Sequence, residues 1–169
     1  MSDMITTDRL TLRPYKDADA DVLMDGFNDF DVVKWLANPP FPFTRSDVRL
    51  TRPDGSSRWP DVAAIDHDGV MIGSISRVPH FGFWLLRAVW NRGFASEAGR
   101  AMIQDFFETS QNTRLESGYF EGNAASARVL EKLGFKQTGR GLHRCQPQQQ
   151  DLPYVGLALT RRDWEIASY

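Results

Sequence analysis

Trp90-Asn91-Arg92-Gly93-Phe94-Ala95-Ser96-Glu97-Ala98 is the stretch that decides the fold, because it is a short loop that leads directly into a predicted helix. It follows a strand-like apolar run at 81–86. Glycine at position 93 lets the backbone approach a ligand closely. The first amides of a helix point outward, and the helix dipole adds positive potential there, so such a loop can cradle phosphate groups. Taken alone, the pattern is more often a plain turn between a strand and a helix.

A second informative segment, at 119–135, lies about thirty residues further along the chain. Asn123 is a favourable first residue for a helix, and Gly134 is placed for the left-handed residue that ends one. The residues between them carry the spacing of a buried helix face at Ser126, Val129, Leu130 and Leu133. The segment therefore predicts a capped helix whose apolar face begins with a hydroxyl group.

The two segments, in this order and spacing, resemble the GNAT superfamily of acetyl-coenzyme A-dependent N-acetyltransferases. The nearer resemblance is to the RimJ/RimL-like branch, the ribosomal-protein N-terminal acetyltransferases. Residues 7–14 and 157–164 are similar to the first and last strands of that branch. The resemblance implies a single N-acetyltransferase domain over residues 1–169. It also implies an α/β fold, in which a mixed, mostly antiparallel twisted sheet contains a splayed central strand pair and is flanked by helices.

Composition and charge restrict the other functional classes. The chain has 169 residues, 41% hydrophobic and 25% charged, which is typical of one soluble domain. A net charge of −2 argues against a direct nucleic-acid partner. The lone Cys145 excludes an internal disulfide and favours a cytoplasmic protein. The sequence predicts no membrane segment, and its three histidines lack the spacing of metal ligands.

Apolar periodicity predicts the remaining elements. Asp68-Gly69 joins two predicted strands, at 62–65 and 70–75, into a hairpin. One or two short helices are expected within 19–36, and a longer one at 96–108. A final hairpin is expected between 135 and 159, with the glutamine-rich tract 146–150 as its solvated loop.

The resemblance also assigns a cofactor site. In GNAT enzymes the fourth strand splays from the fifth, and its exposed backbone pairs with the pantetheine arm of acetyl-CoA. Here those backbone groups would come from Trp84, Leu85 and Leu86, and an ordinary central strand is the alternative. Asn123 and Ser126 would complete the cofactor site, and no metal is implied. The pyrophosphate would lie on a cradle that consists of Arg92, Gly93, Phe94, Ala95 and Ser96, with the Glu97 carboxylate turned away from it.

The implied reaction is direct attack of a primary amine on the thioester within a ternary complex. It requires polarisation of the carbonyl, removal of a proton from nitrogen and protonation of the departing sulfur. A backbone amide near Leu86 is the implied carbonyl donor. Many family members protonate the sulfur with a tyrosine, but Leu130 occupies that position here. Ser126 is the predicted replacement, with Asn123 positioning it; a locally bonded hydroxyl and a helix cap are the respective alternatives.

Glu121 is the carboxylate nearest in sequence that could act as a base, although the sequence shows no dedicated one. An α-amine has a reference pKa near 7.8 and a lysine near 10.4, so a site with a poor base favours the α-amine. We therefore predict transfer to a protein or peptide N-terminus. The alternatives are a small-molecule amine acetyltransferase and a catalytically degenerate acyl-CoA-binding module. The sequence leaves the oligomeric state of the protein open, with a homodimer as one alternative.

Aromatic residues and one histidine are the candidates for the groove that binds the acceptor. Such clusters are more often part of a core than of a substrate platform. The candidate substrate-binding residues are Trp35, Phe41, Phe43, Trp59 and His80.

Overall fold

The computed structural model describes residues 4–52 and 56–167, and within them eight strands form two antiparallel sheets. The first sheet has the order β1-β2-β3-β4-β5 and the second the order β6-β8-β7. The strands are β1 Ile5–Thr6, β2 Thr11–Arg13, β3 Val62–His67, β4 Val70–Ser76, β5 Gly82–Leu85, β6 Arg114–Phe120, β7 Lys136–Cys145 and β8 Gln150–Thr160. The α-helices are α1 Ala20–Asn28, α2 Phe30–Val33, α3 Phe94–Thr109, α4 Ala124–Lys132 and α5 Arg161–Ala167.

The hairpin between β3 and β4 turns at the predicted dipeptide. Asp68 and Gly69 have φ angles of 54° and 83°, the positive pair that a tight hairpin turn requires. Both strands extend slightly beyond their predicted ends. The local turn chemistry therefore sets the register of the central strands.

Strands β5 and β6 touch at one end and then separate. The Phe81 amide donates to the Glu116 carbonyl at 2.7 Å, and the Ser117 hydroxyl donates to the Phe81 carbonyl at 2.8 Å. Beyond this bridge the two strands belong to different sheets. The chain thus contains the splayed strand pair that the family resemblance implies, and the pair forms a V that opens toward the start of α3. We call this opening the V cleft.

Two apolar clusters lie on opposite faces of the strands. The larger cluster packs α3 and α4 against one face and includes Phe81, Leu85, Leu115 and Leu130. The smaller cluster packs α1 against the other face of the first sheet and includes Trp84. Side chains at odd and even positions of a strand point to opposite faces of the sheet. The odd-numbered residues of β5 and β6 pack against α3 and α4, and we call this side the odd face. The even-numbered residues point to the side of α1, which we call the even face.

Two expectations about the C-terminal part of the chain are wrong. The segment 157–164 is not one strand, because β8 ends at Thr160 and α5 follows, with the Thr160 hydroxyl accepting from the Asp163 amide at 3.1 Å. The glutamine-rich tract is not a free loop. The Gln146 amide donates to the Ala37 carbonyl at 2.9 Å, and the Gln148 side chain donates to the Lys34 carbonyl at 2.8 Å.

The sulfur of Cys145 lies on the same docked turn and is fully buried. Cys145 is therefore a buried thiol at the end of β7. No helix within 4–52 or 56–167 is both long and apolar enough to cross a membrane.

Candidate functional site

The loop before α3 has the geometry of an anion cradle. Gly93 precedes the helix with φ +81°, a conformation that glycine adopts without strain. The Glu97 amide makes the first helical bond, to the Gly93 carbonyl at 3.1 Å. The amides of the three residues between them therefore have no acceptor within the helix, and these residues are Phe94, Ala95 and Ser96. Binding of a phosphate at these amides stays a prediction.

Glu97 turns away from the cradle amides, as the sequence analysis required. Its carboxylate accepts from the Thr7 hydroxyl at 2.6 Å, from the Arg9 amide at 3.0 Å and from the Arg9 Nε at 2.7 Å. Burial of the carboxylate acts to raise its pKa, but the hydrogen bonds from Thr7 and Arg9 outweigh it, and the pKa of Glu97 is lowered. Glu97 is therefore ionised at neutral pH and holds Arg9 beside the cradle.

Arg9 is a cradle residue that the sequence analysis missed. Its guanidinium donates to the Arg92 carbonyl at 3.0 Å and lies 4.6 Å from the centre of the Phe94 ring. The guanidinium of Arg92 lies 4.9 Å from the same ring. Two cations thus flank one buried ring at the start of α3. Residues 7–14 had been interpreted only as a strand, because nothing in a single sequence indicates this contact across more than eighty residues.

The strand register corrects which backbone groups face the V cleft. Leu86 donates its amide to the Ile72 carbonyl at 2.8 Å, so Leu86 faces β4 and cannot be the predicted carbonyl donor. Trp84 lies two residues before Leu86 and is paired with Ser74 of β4, so its backbone groups face β4 in the same way. The odd residues Phe83 and Leu85 point their backbone groups toward β6, as Phe81 does. Of the three predicted residues, only Leu85 faces the V cleft.

One of the Leu85 groups is already bonded. The Trp90 indole donates to the Leu85 carbonyl at 2.9 Å, which leaves the Leu85 amide directed at the V cleft. On the opposite wall, the Glu121 amide donates to the Pro153 carbonyl at 2.8 Å, so odd residues of β6 face β8. Gly118 therefore directs its backbone groups at the V cleft. Of the Phe120 backbone groups only the amide does so, because the Phe120 carbonyl accepts from the Asn123 amide at 3.0 Å.

Helix α4 begins beside this wall, as predicted. The Asn123 side chain accepts from the Ser126 amide at 3.1 Å and so acts as a helix cap. Gly134 has φ +87°, the predicted left-handed position. Leu130 is 1% exposed within the larger core cluster. Ser126 is half-buried, and its proposed role in protonating sulfur stays a prediction.

Glu121 is poorly placed to be a general base. Its carboxylate forms an ion pair with Arg140 at 2.7 Å, and both side chains are exposed. Its odd position in the β6–β8 register directs it to the α4 side, away from α1. The sequence alone does not define the direction of the Glu121 side chain, because that direction depends on which residues of β6 point to each face of the sheet.

The structure separates the predicted acceptor residues. Trp35 lies near the turn after β6, where a Cβ at Gly122 would be 3.3 Å from its ring. Phe41 packs against the exposed Phe30, with ring centres 5.3 Å apart. The prediction for Phe43 is corrected, because this residue is 7% exposed in the smaller core cluster.

The other two acceptor candidates also lie away from the V cleft opening. His80 directly precedes the residue that bridges β5 to β6, so it lies at the closed end of the V. Trp59 is exposed and donates its indole N–H to the Arg49 carbonyl. A cavity of about 520 Å³ does lie on the α1 side, lined by Met24, Asp25, Asn28, Asp29, Phe30 and Arg87.

No group of three or more His, Cys, Asp or Glu side chains in the described part of the chain is arranged to hold a metal ion. The site therefore consists of backbone groups on two diverging strands, a helix N-terminus with two arginines, and side chains on the even face. This arrangement suits an extended ligand that carries a phosphate group and adds itself to a strand edge.

Comparison with known proteins gives the same result. Residues 9–136 match the family model described as "Acetyltransferase (GNAT) domain". The N-acetyltransferase YnaD of Bacillus subtilis is 29% identical over 155 residues, which cover 85% of this chain and 88% of YnaD. A GNAT-family acetyltransferase from Bacillus anthracis superposes with a TM-score of 0.81 at 21% identity, covering 94% of this chain and 99% of that protein.

Two further solved structures share the fold and differ in their acceptors. The ribosomal-protein-S5-alanine acetyltransferase of Vibrio fischeri has a TM-score of 0.71 and 19% identity, covering 95% of this chain and 98% of its own. Aminoglycoside acetyltransferase AAC(6')-Ib, in complex with coenzyme A and kanamycin, also has a TM-score of 0.71, with 21% identity and coverage of 95% and 99%.

Proposed function

This chain belongs to the GNAT acetyltransferase family, and from that premise we propose that it acetylates the α-amine of a protein or peptide N-terminus. It is an acetyl-CoA-dependent N-acetyltransferase. We further propose that residues 1–169 act as one domain, that the chain belongs to the RimJ/RimL-like branch and that it works in the cytoplasm. Whether two copies associate stays open, and sedimentation velocity measures it.

The V cleft with its cradle is the observation that carries the proposal. A cofactor whose pyrophosphate lies on the amides after Gly93 would run its pantetheine arm into the V cleft. It would meet the free amide of Leu85 first and the backbone of Phe83 next. The thioester then lies deepest, near the bridge at Phe81. We assign the Phe83 amide as the donor to the thioester carbonyl in place of Leu86, because it faces the V cleft at that depth.

The acceptor class follows from the acid–base groups around the V cleft. Glu121 is bound to Arg140 on the other face, and Glu116 is bound to Arg114 at the closed end of the V. An α-amine is deprotonated far more readily than a lysine side chain, by about 3.5 kcal/mol at neutral pH. An acceptor that needs no strong base therefore fits this site best.

The chemical step needs little beyond positioning. The nitrogen lone pair forms a bond to the thioester carbon, and the carbon–sulfur bond breaks with its electron pair on sulfur. Ser126 is proposed to give its proton to that sulfur and to regain one from water. Asn123 caps the first turn of α4 by accepting from the Ser126 amide, and we propose that this cap directs the Ser126 hydroxyl at the V cleft.

A small-molecule amine is the second candidate acceptor, and one cavity favours it. The cavity on the α1 side is lined by two carboxylates, of Asp25 and Asp29. The Asp29 carboxylate is paired with Arg87 of the same lining at 2.9 Å, so among the described residues of this lining the exposed Asp25 supplies the unpaired negative charge. A polyamine or aminosugar would find complementary charge there. The shared fold with an aminoglycoside acetyltransferase is consistent with this alternative.

Thiol release from acetyl-CoA, measured across a panel of acceptors, tests the proposal. The panel contains peptides with free N-termini, the same peptides with blocked N-termini and a free lysine, polyamines and aminoglycosides. We expect turnover with the free N-termini and little with the blocked ones. Turnover of polyamines or aminoglycosides alone would establish the second candidate. Coenzyme A binding without turnover of any amine would identify a degenerate binding module.

A further inference from the structure

A tyrosine from β8 occupies the space above the wall of the V cleft. Tyr154 pairs with Phe120 in the β6–β8 register, and its ring crosses diagonally over Gly118. A Cβ built on Gly118 would lie 2.3 Å from the Tyr154 hydroxyl oxygen and 2.4 Å from the ring carbon that carries it. Only glycine at position 118 therefore leaves room for this hydroxyl, which lies over the β6 residue whose backbone faces the V cleft.

The depth of this hydroxyl along the V matches that of the reacting carbon. The bridge between the strands joins Phe81 to Glu116, and the next cleft-facing residues are Phe83 on one wall and Gly118 on the other. Phe83 is the residue assigned to the thioester carbonyl. The Tyr154 oxygen thus lies above the backbone directly across from it.

Tyr154 approaches from the side opposite to α4. Its even position in β8 puts it on the face away from Val155 and Leu157, which belong to the larger core cluster with α3 and α4. The cofactor cradle belongs to α3, so the face with Tyr154 is the one left for the acceptor. Phe120 and His143 pack around the Tyr154 ring at 5.4 Å and 5.0 Å and hold its orientation.

The Tyr154 hydroxyl has no hydrogen-bond partner among the described residues, although every hydroxyl can both donate and accept. Burial raises the pKa of Tyr154 above that of a free phenol, so the group is neutral at physiological pH. A neutral phenol is a poor base but a suitable acceptor for an amine N–H.

We propose that Tyr154 is a catalytic residue whose hydroxyl oxygen accepts a hydrogen bond from the attacking amine and aims its lone pair at the thioester carbon. This inference rests on the proposed acetyl transfer. The nitrogen forms its bond to carbon, sulfur leaves with the electron pair, and the proton from nitrogen passes to water. Tyr154 keeps its own proton throughout.

Two bisubstrate analogues test the proposal without requiring turnover. One joins coenzyme A through an acetyl bridge to the α-nitrogen of an alanine-first peptide, and the other joins it to a polyamine. Calorimetry gives the gain in affinity of each analogue over coenzyme A alone. We expect the gain in affinity to be about fivefold smaller for Tyr154→Phe than for the wild type, the usual effect of one neutral hydrogen bond. The variant should bind coenzyme A itself as tightly as the wild type does.

The matched control is Tyr119→Phe, which removes a phenol from the odd face of β6 next to Gly118. It should leave the gain unchanged. With the acceptor that the wild type turns over, Tyr154→Phe should lower kcat/KM for the acceptor at every pH. The apparent pKa of the rising limb of the pH profile should not change. Loss of a general base would shift this pKa, whereas loss of a neutral phenol does not.

The outcomes separate the two proposals. If the peptide analogue binds no tighter than coenzyme A while the polyamine analogue gains affinity, the N-terminal acceptor is overturned. The role of Tyr154 is then tested with the polyamine analogue. Equal gains in wild type and Tyr154→Phe overturn the role of Tyr154. So does a wild type that gains nothing from either analogue, or a variant that loses coenzyme A affinity to the same extent.

Discussion

The two walls of the site differ in what they are made of. The proposed cofactor wall consists mainly of backbone groups, namely the amides after Gly93 and those of Phe83 and Leu85, held by a local turn and a strand edge. The proposed acceptor side consists of side chains that come from distant elements, such as Trp35 near Gly122 and Tyr154 over Gly118. A backbone wall tolerates most substitutions, whereas a side-chain wall depends on each residue. The difference predicts which changes abolish binding and which alter selectivity.

The strongest test of the cofactor wall is Gly93→Asp. The substitution adds a Cβ at a residue with φ +81° and an anion where amides face phosphate. We expect coenzyme A affinity to fall by at least about a hundredfold, which calorimetry measures. Gly69→Asp is the matched control, because that glycine also has a positive φ, of +83°, but lies in the β3–β4 turn. Undiminished affinity in a folded Gly93→Asp protein would remove the cradle from the site.

Ser126→Ala tests whether a side chain contributes chemistry beside the backbone wall. If the hydroxyl protonates sulfur, the single-turnover rate should fall by about 10² or more, while coenzyme A affinity changes only a few-fold. Ser126→Thr keeps a hydroxyl and should retain most of the rate. A loss below tenfold in the alanine variant would leave water as the proton donor.

Glu97→Gln tests the support behind the cradle. The substitution breaks the ion pair with Arg9, whose guanidinium contacts the Arg92 carbonyl, so coenzyme A affinity should fall about tenfold or less. The folded-state pKa of Glu97 is lowered, so its contribution to stability is present above the ordinary glutamate pKa and is lost as the pH falls through the lower value.

Thermal unfolding between pH 7 and pH 3 measures this contribution. The difference in Tm between wild type and Glu97→Gln should be greatest near neutral pH and shrink toward pH 3. The control is Glu108→Gln on the same helix, whose carboxylate accepts only from the exposed Gln104 side chain. Parallel curves for wild type and Glu97→Gln across this range would contradict the role of the carboxylate.

Glu121→Gln has the smallest expected effect. The carboxylate is exposed, paired with Arg140 and directed to the α4 side. We expect kcat and the pH profile with any acceptor to stay within twofold of wild type. A loss of the rising limb of the profile would instead restore Glu121 as the base and shift the acceptor wall to the other face.

The same contrast explains how much the sequence could predict. The glycine loop before α3, the cap at Asn123 and the turn at Asp68 and Gly69 follow local patterns, and the structure has each of them. The splayed strand pair was implied by the family resemblance and is also present. The prediction that Trp84 and Leu86 face the V cleft was wrong, because the direction of their backbone groups depends on how β5 pairs with β4. In that pairing the Leu86 amide donates to the Ile72 carbonyl.

Contacts between distant segments were missed for a different reason. The hold of Arg9 on the loop before α3 and the docking of the glutamine-rich turn on Lys34 and Ala37 join residues far apart in the chain. Neither contact leaves a periodic signal in a single sequence. The prediction of one strand at 157–164 was wrong because β8 continues directly into α5, and apolar residues lie on both sides of that boundary.

The V cleft also makes the cofactor part of the architecture. Between β5 and β6 the molecule is a sheet with one strand absent, and in the proposed complex the pantetheine arm would supply the hydrogen bonds that a neighbouring strand provides. A ligand held only by the folded state stabilises it by about 2.7 kcal/mol at a hundred times its Kd. The lifetime of this enzyme against proteases should therefore increase with the acetyl-CoA concentration around it.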